Sequence, residues 1–226
     1  MTSATTIPHT PHAGELERYT FSERIMHWTN SLTYVYCLAT GLAFYSPHLY
    51  WLAYVLGGAP TSRFWHPIVG LGFLLATLWM HSVWSTDMQI TGVDRRWLDN
   101  IRPYITNDEE HAPLAERFNG GQKLYYWLML YGALLLLVSG IFLWVPEYIP
   151  RQTLWVHGVM ILLHEAAALI TIGGFIIHVY MSVFMVPYSM AAITTGWVTR
   201  SWAWTHHRLW YLRTTGQPAP KVTSHE

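Results

Sequence analysis

Four long stretches free of charged side chains divide this 226-residue chain. Asp, Glu, Lys and Arg are absent from positions 25–62, 64–86 and 124–146, and Glu165 is the only one between 152 and 199. A helix needs roughly 20 apolar residues to cross about 30 Å of hydrocarbon, so each stretch can hold one crossing. Hydrophobic continuity therefore predicts four helices, at 24–46, 65–86, 122–145 and 153–186.

The composition supports a membrane location. The chain is 52% hydrophobic and 12% charged, whereas soluble domains carry about 25% charged residues. Its 13 Trp and 14 Tyr side chains suit the interfaces between lipid and water. We predict a single all-α integral membrane domain over 1–226, surrounded by lipid and without a nucleic acid partner. A four-transmembrane-helix bundle at 24–186 would lie between terminal tails at 1–23 and 187–226.

The fourth helix is longer than one crossing requires. Its 34 predicted residues would extend about 51 Å, so it must tilt, bend at Gly173 and Gly174, or project into water. Pro187 is its natural end, because proline cannot continue the backbone ladder.

The basic residues predict the orientation of the bundle. With four crossings, both termini and the loop between the second and third helices share one side of the membrane. That side carries eleven of the 13 Lys and Arg residues, and the other side carries Arg63 and Arg151. Basic residues concentrate on the cytoplasmic side. We therefore expect both termini in the cytoplasm and the chain in a bacterial inner membrane.

Histidines recur inside the apolar stretches at matching depths. His164 and His178 lie fourteen residues apart, which on a helix is about 40° short of four turns and about 21 Å along the axis. His27 begins the first helix, on the inner side, and His66 begins the second, on the outer side. Each half of the membrane thus holds two imidazoles from different helices: His27 with His178, and His66 with His164.

Two imidazoles on opposite faces of a haem iron leave no open position for oxygen chemistry and form an electron-transferring site. We predict two b haems, with these four histidines as the metal ligands. The alternative for each histidine is a hydrogen-bonding core residue. Zinc is a weaker alternative. Histidines about 21 Å apart cannot bind the same ion, and Cys37, the one thiol of the chain, does not complete a tetrahedral ligand set. One cysteine also excludes an iron–sulfur cluster within this chain.

Other polar groups in or near the spans have competing interpretations. His81 and His157 could rival the four ligands, but we expect packing or interfacial roles for them. His48, His111, His206, His207 and His225 fall outside the spans, where we expect them to be solvated. Glu165 is costly in hydrocarbon unless it is protonated or paired, so it handles protons, partners the haem environment or faces another subunit. Gly41, Gly140, Gly173 and Gly174 allow close approach of a macrocycle or of another helix.

Six short motifs, in order, resemble one known family. They are RIMHW (24–28), FWHPIVG (64–70), FNGGQK (118–123), LLHEAA (162–167), IIHVYM (176–181) and HHRLWY (206–211). Together they resemble the cytochrome b (gamma) subunit of membrane-bound respiratory formate dehydrogenase, over about residues 18–213. The resemblance implies a four-helix diheme subunit, with ligand pairs that agree with the depth argument.

The resemblance also implies a quinone site beside the cytoplasmic-side haem. It would lie at Asn119, Gly121 and Gln122, next to His178, and would take menaquinone or ubiquinone. The alternative for this stretch is an ordinary loop and helix start. No residue of the chain is expected to be catalytic in its own right.

The function implied is a quinone-reducing conduit in a formate dehydrogenase complex. A molybdenum or tungsten catalytic (alpha) subunit would oxidise formate in the periplasm, and an iron–sulfur (beta) subunit would pass electrons to this chain. An uptake hydrogenase or a thiosulfate reductase could use the same kind of diheme anchor. A non-redox membrane anchor or transporter, whose histidines pack or carry protons, is the alternative from another class.

Overall fold

The computed structural model describes residues 14–106, 108, 110–148 and 150–219. The helices are α1 (Phe21–Tyr45), α2 (Trp51–Val55), α3 (Ala59–Trp84), α4 (Gly92–Asp99), α5 (Arg102–Ile105), α6 (Gly120–Trp144), α7 (Leu154–Tyr180), α8 (Ser189–Thr195), α9 (Arg200–His206) and α10 (Arg208–Thr215). The strands are β1 (Glu15–Glu17) and β2 (Trp197–Thr199). Short 3₁₀ turns occur at Pro47–Leu49, Pro146–Tyr148 and Arg151–Thr153, and a π-helical segment at Met181–Met185.

Local capping groups determine where the long helices begin. Thr20 and Glu23 form a reciprocal capping box at the start of α1, which satisfies N–H groups that have no partner inside the helix. Helix α3 begins at Ala59, six residues before the predicted start, because Gly58 adopts φ 95° and Pro60 occupies the first turn. His66 therefore lies two turns inside α3, and its predicted position at the helix start was wrong.

Helix α7 runs unbroken through both glycines at which a bend was considered. It continues as the π-helical segment and ends before Pro187. Gly174 allows α6 to pack closely, because a Cβ at this position would overlap the Leu128 side chain.

Among the described residues, three helices are long and apolar enough to cross a membrane: α3, α6, and α7 with its π-helical extension. Helix α1 has 25 residues, but polar side chains lower its hydropathy. One of these, Asn30, donates a hydrogen bond of 2.8 Å to Thr77 of α3. Helix α1 packs along α3, and α6 packs along both α3 and α7.

The segments predicted as tails contribute to a folded terminal cap, which consists of β1, α8, β2, α9 and α10. Strand β1 pairs antiparallel with β2, with Leu16 opposite Val198. Residues 1–13 and 220–226, which include His225, lie outside the described residues. Trp202 and Trp210 join Tyr19 and Phe118 in one buried cluster. The cap thus joins both ends of the chain to the connection that precedes α6.

Two histidines of the cap are buried, so their predicted solvation was wrong. His206 is 8% exposed and His207 is 1% exposed. His207 Nδ1 donates to the Glu116 carbonyl at 2.7 Å, and its Nε2 lies 3.0 Å from the Arg18 guanidinium. Arg18, which is only 2% exposed, lies within 6 Å of four aromatic rings: Tyr19, Phe118, Trp202 and Trp210.

Candidate functional site

The structure brings the predicted histidines together in the predicted pairs. The rings of His66 on α3 and His164 on α7 have centroids 6.3 Å apart and planes inclined by 60°. The rings of His27 on α1 and His178 on α7 also have centroids 6.3 Å apart, with planes inclined by 47°. Because α7 is continuous between its two histidines, the pairs are separated by about 21 Å along the helix axis.

The separation within each pair fits two imidazoles on one metal ion. A metal–nitrogen bond of about 2.0–2.1 Å puts the centre of an imidazole ring about 3.2 Å from the metal, so two coaxial rings lie about 6.3 Å apart. Both pairs show this separation. The ring separation in each pair is therefore the one expected for two imidazoles that share one ion.

Each histidine of the pair His66/His164 contacts a buried hydroxyl group. Thr40 Oγ1 of α1 lies 2.7 Å from His66 Nδ1, and Ser139 Oγ of α6 lies 2.9 Å from His164 Nδ1. Both hydroxyl residues are 0% exposed. All four long helices therefore contribute to this pair, two by an imidazole and two by a hydroxyl group.

A cavity of about 450 Å³ surrounds the same pair. Ligand pockets typically have about 300–1,000 Å³. Its walls are mainly apolar, and Arg63 and Glu165 also line it. Gly41 and Gly140 face the two imidazoles, since a Cβ added to either glycine would lie 3.6 Å from His66 Cε1 or 3.3 Å from His164 Cε1.

The pair His27/His178 has different surroundings. His27 Nδ1 is buried and makes no hydrogen bond within the described part of the chain. The His178 ring stacks on Tyr125 of α6, with centroids 4.4 Å apart and planes inclined by 6°. Aromatic side chains lie between the two levels. The centroid of the Tyr34 ring lies 5.4 Å from that of Phe73 and 5.3 Å from that of Phe175.

The competing histidines lie apart from these pairs. His81 stacks beside Tyr126 and hydrogen-bonds to its hydroxyl group, in keeping with the packing role expected for it. His157 is the fourth residue of α7 and has no ring contact with the four paired histidines. Across residues 14–106, 108, 110–148 and 150–219, no three His, Cys, Asp or Glu side chains meet as a metal-binding group.

The stretch predicted to hold quinone forms the start of α6. Asn119 Oδ1 accepts from Gln122 N at 2.9 Å, and Gln122 Oε1 accepts from Asn119 N at 3.0 Å. The remaining amide group of Asn119 donates to the Tyr104 hydroxyl at 3.2 Å. Gly121 packs against Trp97, since a Cβ on it would lie 3.3 Å from the indole. Asn119 and Gly121 are therefore engaged in the fold, and the Gln122 side-chain amide keeps its N–H donors.

A buried ion pair holds this helix start in place. Lys123 Nζ lies 2.8 Å from Asp94 Oδ2, with the two side chains 3% and 2% exposed. Burial raises the pKa of Asp94, but hydrogen bonds from Lys123 and Thr91 outweigh burial and bring the pKa below its usual value. The pair fixes α4 against the first turn of α6.

The terminal cap keeps its buried histidines neutral. Burial, followed by the nearby charge of Arg18, lowers the pKa of His206 to about 4. The same two causes hold the pKa of His207 well below its usual value. Neutral imidazoles suit this place, because the cationic Arg18 has no carboxylate partner among the described residues.

Sequence reasoning missed Thr40 and Ser139. Each is a small hydroxyl residue inside an apolar run, and each is followed by glycine. This repeated hydroxyl–glycine step at equivalent depths of α1 and α6 was a signal that could have pointed to them.

Comparison with known proteins gives consistent matches. A family model described as prokaryotic cytochrome b561 matches residues 18–196. The cytochrome b556(fdo) subunit of formate dehydrogenase from Escherichia coli K12 is 32% identical over 200 residues, covering 86% of this chain and 90% of the relative. The nitrate-inducible cytochrome b556(Fdn) subunit from the same strain is 32% identical, covering 86% and 89%. The cytochrome b556 subunit of Haemophilus influenzae formate dehydrogenase is 30% identical, covering 86% and 81%.

These matches confirm the family resemblance that was based on the six motifs. They span the four long helices and both imidazole pairs. The chain therefore belongs to the prokaryotic cytochrome b561 family, together with the cytochrome b556 subunits of formate dehydrogenases.

Proposed function

We propose that this chain is the diheme cytochrome b subunit of a formate dehydrogenase complex. Four transmembrane helices, α1, α3, α6 and α7, form one membrane domain that holds two b haems. His66 and His164 would hold the iron of one haem, and His27 and His178 would hold that of the other. The chain passes electrons from an iron–sulfur subunit outside the membrane to a quinone near the inner surface.

The observation that carries this proposal is the equal 6.3 Å separation of the rings in the two histidine pairs. It fits the spacing of two imidazoles on one iron, and the cavity around His66 and His164 fits a bulky planar ligand between apolar walls. A haem iron, when bound, takes up and releases one electron. With two histidines available to each iron, the residues would leave no place for oxygen to bind.

The protein residues hold and insulate these centres. The cavity is lined mainly by apolar side chains, and Arg63 in its lining would supply a cation for the carboxylates of a bound porphyrin. Glu165 lines the same cavity, and its environment is one place where a proton can be held. Between the two levels, the Tyr34 ring packs against the rings of Phe73 and Phe175.

The partners follow from the chemistry that this chain lacks. Its one cysteine cannot bind an iron–sulfur cluster, and the relatives are named as subunits of formate dehydrogenase. A molybdenum or tungsten subunit would oxidise formate, and an iron–sulfur subunit would deliver the electrons. With both termini cytoplasmic, protons for quinone reduction come from the inner side. Electron transfer across the membrane would then be electrogenic, and each charge moved through a potential of 100 mV would store about 2.3 kcal/mol.

The quinone site proposed at Asn119, Gly121 and Gln122 has a division of roles. Asn119 caps α6, and Gly121 lets Trp97 approach. Gln122 is left to donate its amide N–H to a quinone carbonyl. It lies one turn before Tyr125, which stacks on His178, so a quinone there would be close to the haem of His27 and His178.

Haem content and optical spectra test the diheme assignment. The purified complex should contain two haems per copy of this chain and show a b-type α-band in its reduced-minus-oxidised spectrum. His66→Ala and His164→Ala should each remove one and the same haem, and His27→Ala and His178→Ala should remove the other. His157→Ala is the matched control and should retain both. An assembled protein without the α-band would refute the redox function, and loss of neither haem in His66→Ala would refute the pairing.

Identification of the co-purifying subunits by mass tests the donor. Formate should reduce both haems of the intact complex, and the large subunit should be a molybdenum or tungsten protein. A hydrogenase or thiosulfate reductase large subunit, with haems reduced by hydrogen or by another donor and not by formate, would replace the assignment of the substrate.

Two variants of Gln122 separate quinone binding from helix capping. Gln122→Glu keeps the Oε1 acceptor for Asn119 N but removes the N–H donors, whereas Gln122→Leu removes both. Both should raise the KM for quinone with the haem spectra unchanged, and only Gln122→Leu should destabilise the start of α6. An unchanged KM in Gln122→Glu would contradict the donor role.

A further inference from the structure

The two histidine pairs differ in the surroundings of their Nδ1 atoms. In the pair His66/His164, both Nδ1 atoms lie within 3 Å of a hydroxyl oxygen. In the other pair, His27 Nδ1 is buried without a hydrogen bond among the described residues. The ligand environment is thus symmetric at one level and lacks this feature at the other.

The hydroxyl groups determine the tautomer of the two imidazoles. Thr40 Oγ1 lies 2.8 Å from the Tyr36 carbonyl, and Ser139 Oγ lies 2.7 Å from the Leu135 carbonyl. A carbonyl oxygen only accepts hydrogen bonds, so each hydroxyl group donates its one proton to that carbonyl. The hydroxyl oxygen can then only accept from the imidazole. With this arrangement His66 and His164 would carry their proton on Nδ1, which would leave the Nε2 lone pair for the iron of a bound haem.

We propose that Thr40 and Ser139 set the redox potential of the haem held by His66 and His164. This inference deepens the proposed function and rests on it. A ligand imidazole that donates from Nδ1 becomes a stronger electron donor to the metal. Stronger donation favours the ferric state, so the hydrogen bonds lower the midpoint potential of this haem relative to that of the pair His27/His178.

The order of potentials that results agrees with the direction of electron transfer. The haem of His66 and His164 lies on the side proposed to receive electrons, and a lower potential makes it the better reductant. Electrons then pass downhill to the haem of His27 and His178.

The arrangement is built twice from different helices. Thr40–Gly41 on α1 and Ser139–Gly140 on α6 have the same arrangement. In each, the hydroxyl group contacts Nδ1 of the imidazole, and the glycine, which has no side chain, faces its Cε1 atom. The hydroxyl fixes the hydrogen bond, and the glycine lets the helix backbone come close enough to make it. Both hydroxyls already bond to backbone carbonyls of their own helices, so the helix itself does not require the contact with histidine.

The test is a potentiometric titration of the α-band in the purified complex, which resolves the two haems. Thr40→Val keeps the side-chain shape but removes the acceptor, and Ser139→Ala removes the other acceptor. Each should raise the midpoint potential of one haem by an amount equivalent to roughly tenfold in its oxidised-to-reduced ratio, about 59 mV for one electron. The double variant should raise it further, and the second haem should not change.

Two controls keep a hydroxyl or remove an unrelated one. Thr40→Ser retains the acceptor and should keep the wild-type potential. Thr77→Val removes a buried hydroxyl of α3 that bonds to Asn30 and not to a paired histidine, and it should leave both potentials unchanged. If Thr40→Val does not assemble, Ser139→Ala alone decides the question.

The outcomes separate this inference from the proposed function. Two haems present with unmoved potentials in Thr40→Val and Ser139→Ala would refute the role of the hydroxyls and leave the diheme assignment standing. A wild-type protein without two haems would refute the proposed function itself. A shift of both haems together, or an equal shift in Thr77→Val, would also overturn the inference.

Discussion

Replacement of Lys123 by Met tests how the start of α6 is held. In the native protein Lys123 Nζ donates to Asp94 Oδ2 at 2.8 Å and to the Gln89 carbonyl at 3.0 Å. The variant keeps the length and most of the volume of the side chain but removes its charge. Asp94 is then left as a buried carboxylate, with hydrogen bonds only from Thr91 N at 2.7 Å and Thr91 Oγ1 at 2.8 Å.

Removal of one partner of a buried ion pair costs about 3–5 kcal/mol, because the other charge stays buried without compensation. The two bonds from Thr91 keep Asp94 partly satisfied, so we expect a loss near the lower end, about 3 kcal/mol. Asp94→Asn combined with Lys123→Met removes both charges and keeps the cap of α4. The free energy of unfolding should therefore decrease less in this double variant than in Lys123→Met alone.

The sign of the pH dependence is a further part of this prediction. In the native protein the pKa of Asp94 is below its usual value, so the stabilisation by the ionised form is present at pH 7 and is lost as the pH falls through that pKa. Without Lys123 the buried carboxyl group favours its neutral form, and its pKa rises. The deficit of Lys123→Met should therefore shrink on acidification towards pH 4.

The assay is equilibrium unfolding in mixed detergent micelles, followed by loss of helical circular dichroism, with hydrogen exchange of α4 as a local readout. Arg95→Met is the matched control, because Arg95 is an exposed cation on α4, the helix that carries Asp94. The reasoning would be refuted if Lys123→Met lost under about 1 kcal/mol, or if the double variant were less stable than the single one.

Three further predictions concern the cap and the helix contacts. The pKa of His206 is lowered to about 4, so the free energy of unfolding of the cap should decrease as the pH falls from about 6.5, the pKa in the unfolded state, to about 4, by up to about 1.4 kcal/mol per pH unit. Hydrogen exchange of α9 should show this decrease, and an undiminished decrease in His206→Gln would contradict it. Gly174→Ala should cost about 1 kcal/mol, because the end of the Leu128 side chain must turn away to admit the new Cβ, and unfolding in micelles identical to that of the wild type would refute the close contact. Glu23→Gln weakens the bonds from Trp84 and Arg117, both 2.6 Å, and should cost about 2 kcal/mol; a loss under about 0.5 kcal/mol in the same unfolding assay would show that these bonds are dispensable.

The pairing of the histidines followed from the sequence because two simple rules determine it. Charge-free stretches mark the helices that can lie in lipid, and the rise per residue gives the depth of each histidine. Together these rules matched His27 with His178 and His66 with His164. The error at His66, which lies two turns inside α3, did not change its partner.

The start of α3 was not predictable from hydrophobicity, because backbone conformation determines it. Arg63 interrupts the apolar run and suggested a later start, but the positive φ of Gly58 and the ring of Pro60 begin the helix before Arg63. A single cation in the first turns of a helix near the membrane surface does not prevent helix formation.

The burial of His206 and His207 was not predictable for a different reason. The segment after Pro187 is moderately polar, and local patterns there indicate exposure. Burial depends on the pairing of β1 with β2, which joins positions about 180 residues apart, and on the packing of Arg18 among aromatic rings. No periodicity within either segment encodes that contact.

The interpretation of FNGGQK changed in its details. The sequence permits both a quinone site and an ordinary helix start, and Asn119 and Gln122 form a reciprocal cap. That contact accounts for the amide oxygens without any ligand, and only the free amide donor of Gln122 leaves a polar group for a quinone. Residue types alone could not divide these roles between two neighbouring amides.

Helix α7 supplies one imidazole to each pair, and this has a consequence for biosynthesis. The partner imidazoles on α1 and α3 leave the ribosome roughly 90 residues or more before α7 does, since domains are made from the N-terminus onward. Neither imidazole pair is complete in the nascent chain until its last long helix has been made. If each pair holds a haem, as proposed, neither haem can be bound by two histidines until α7 has been made, and a chain truncated before Leu154 should acquire neither prosthetic group.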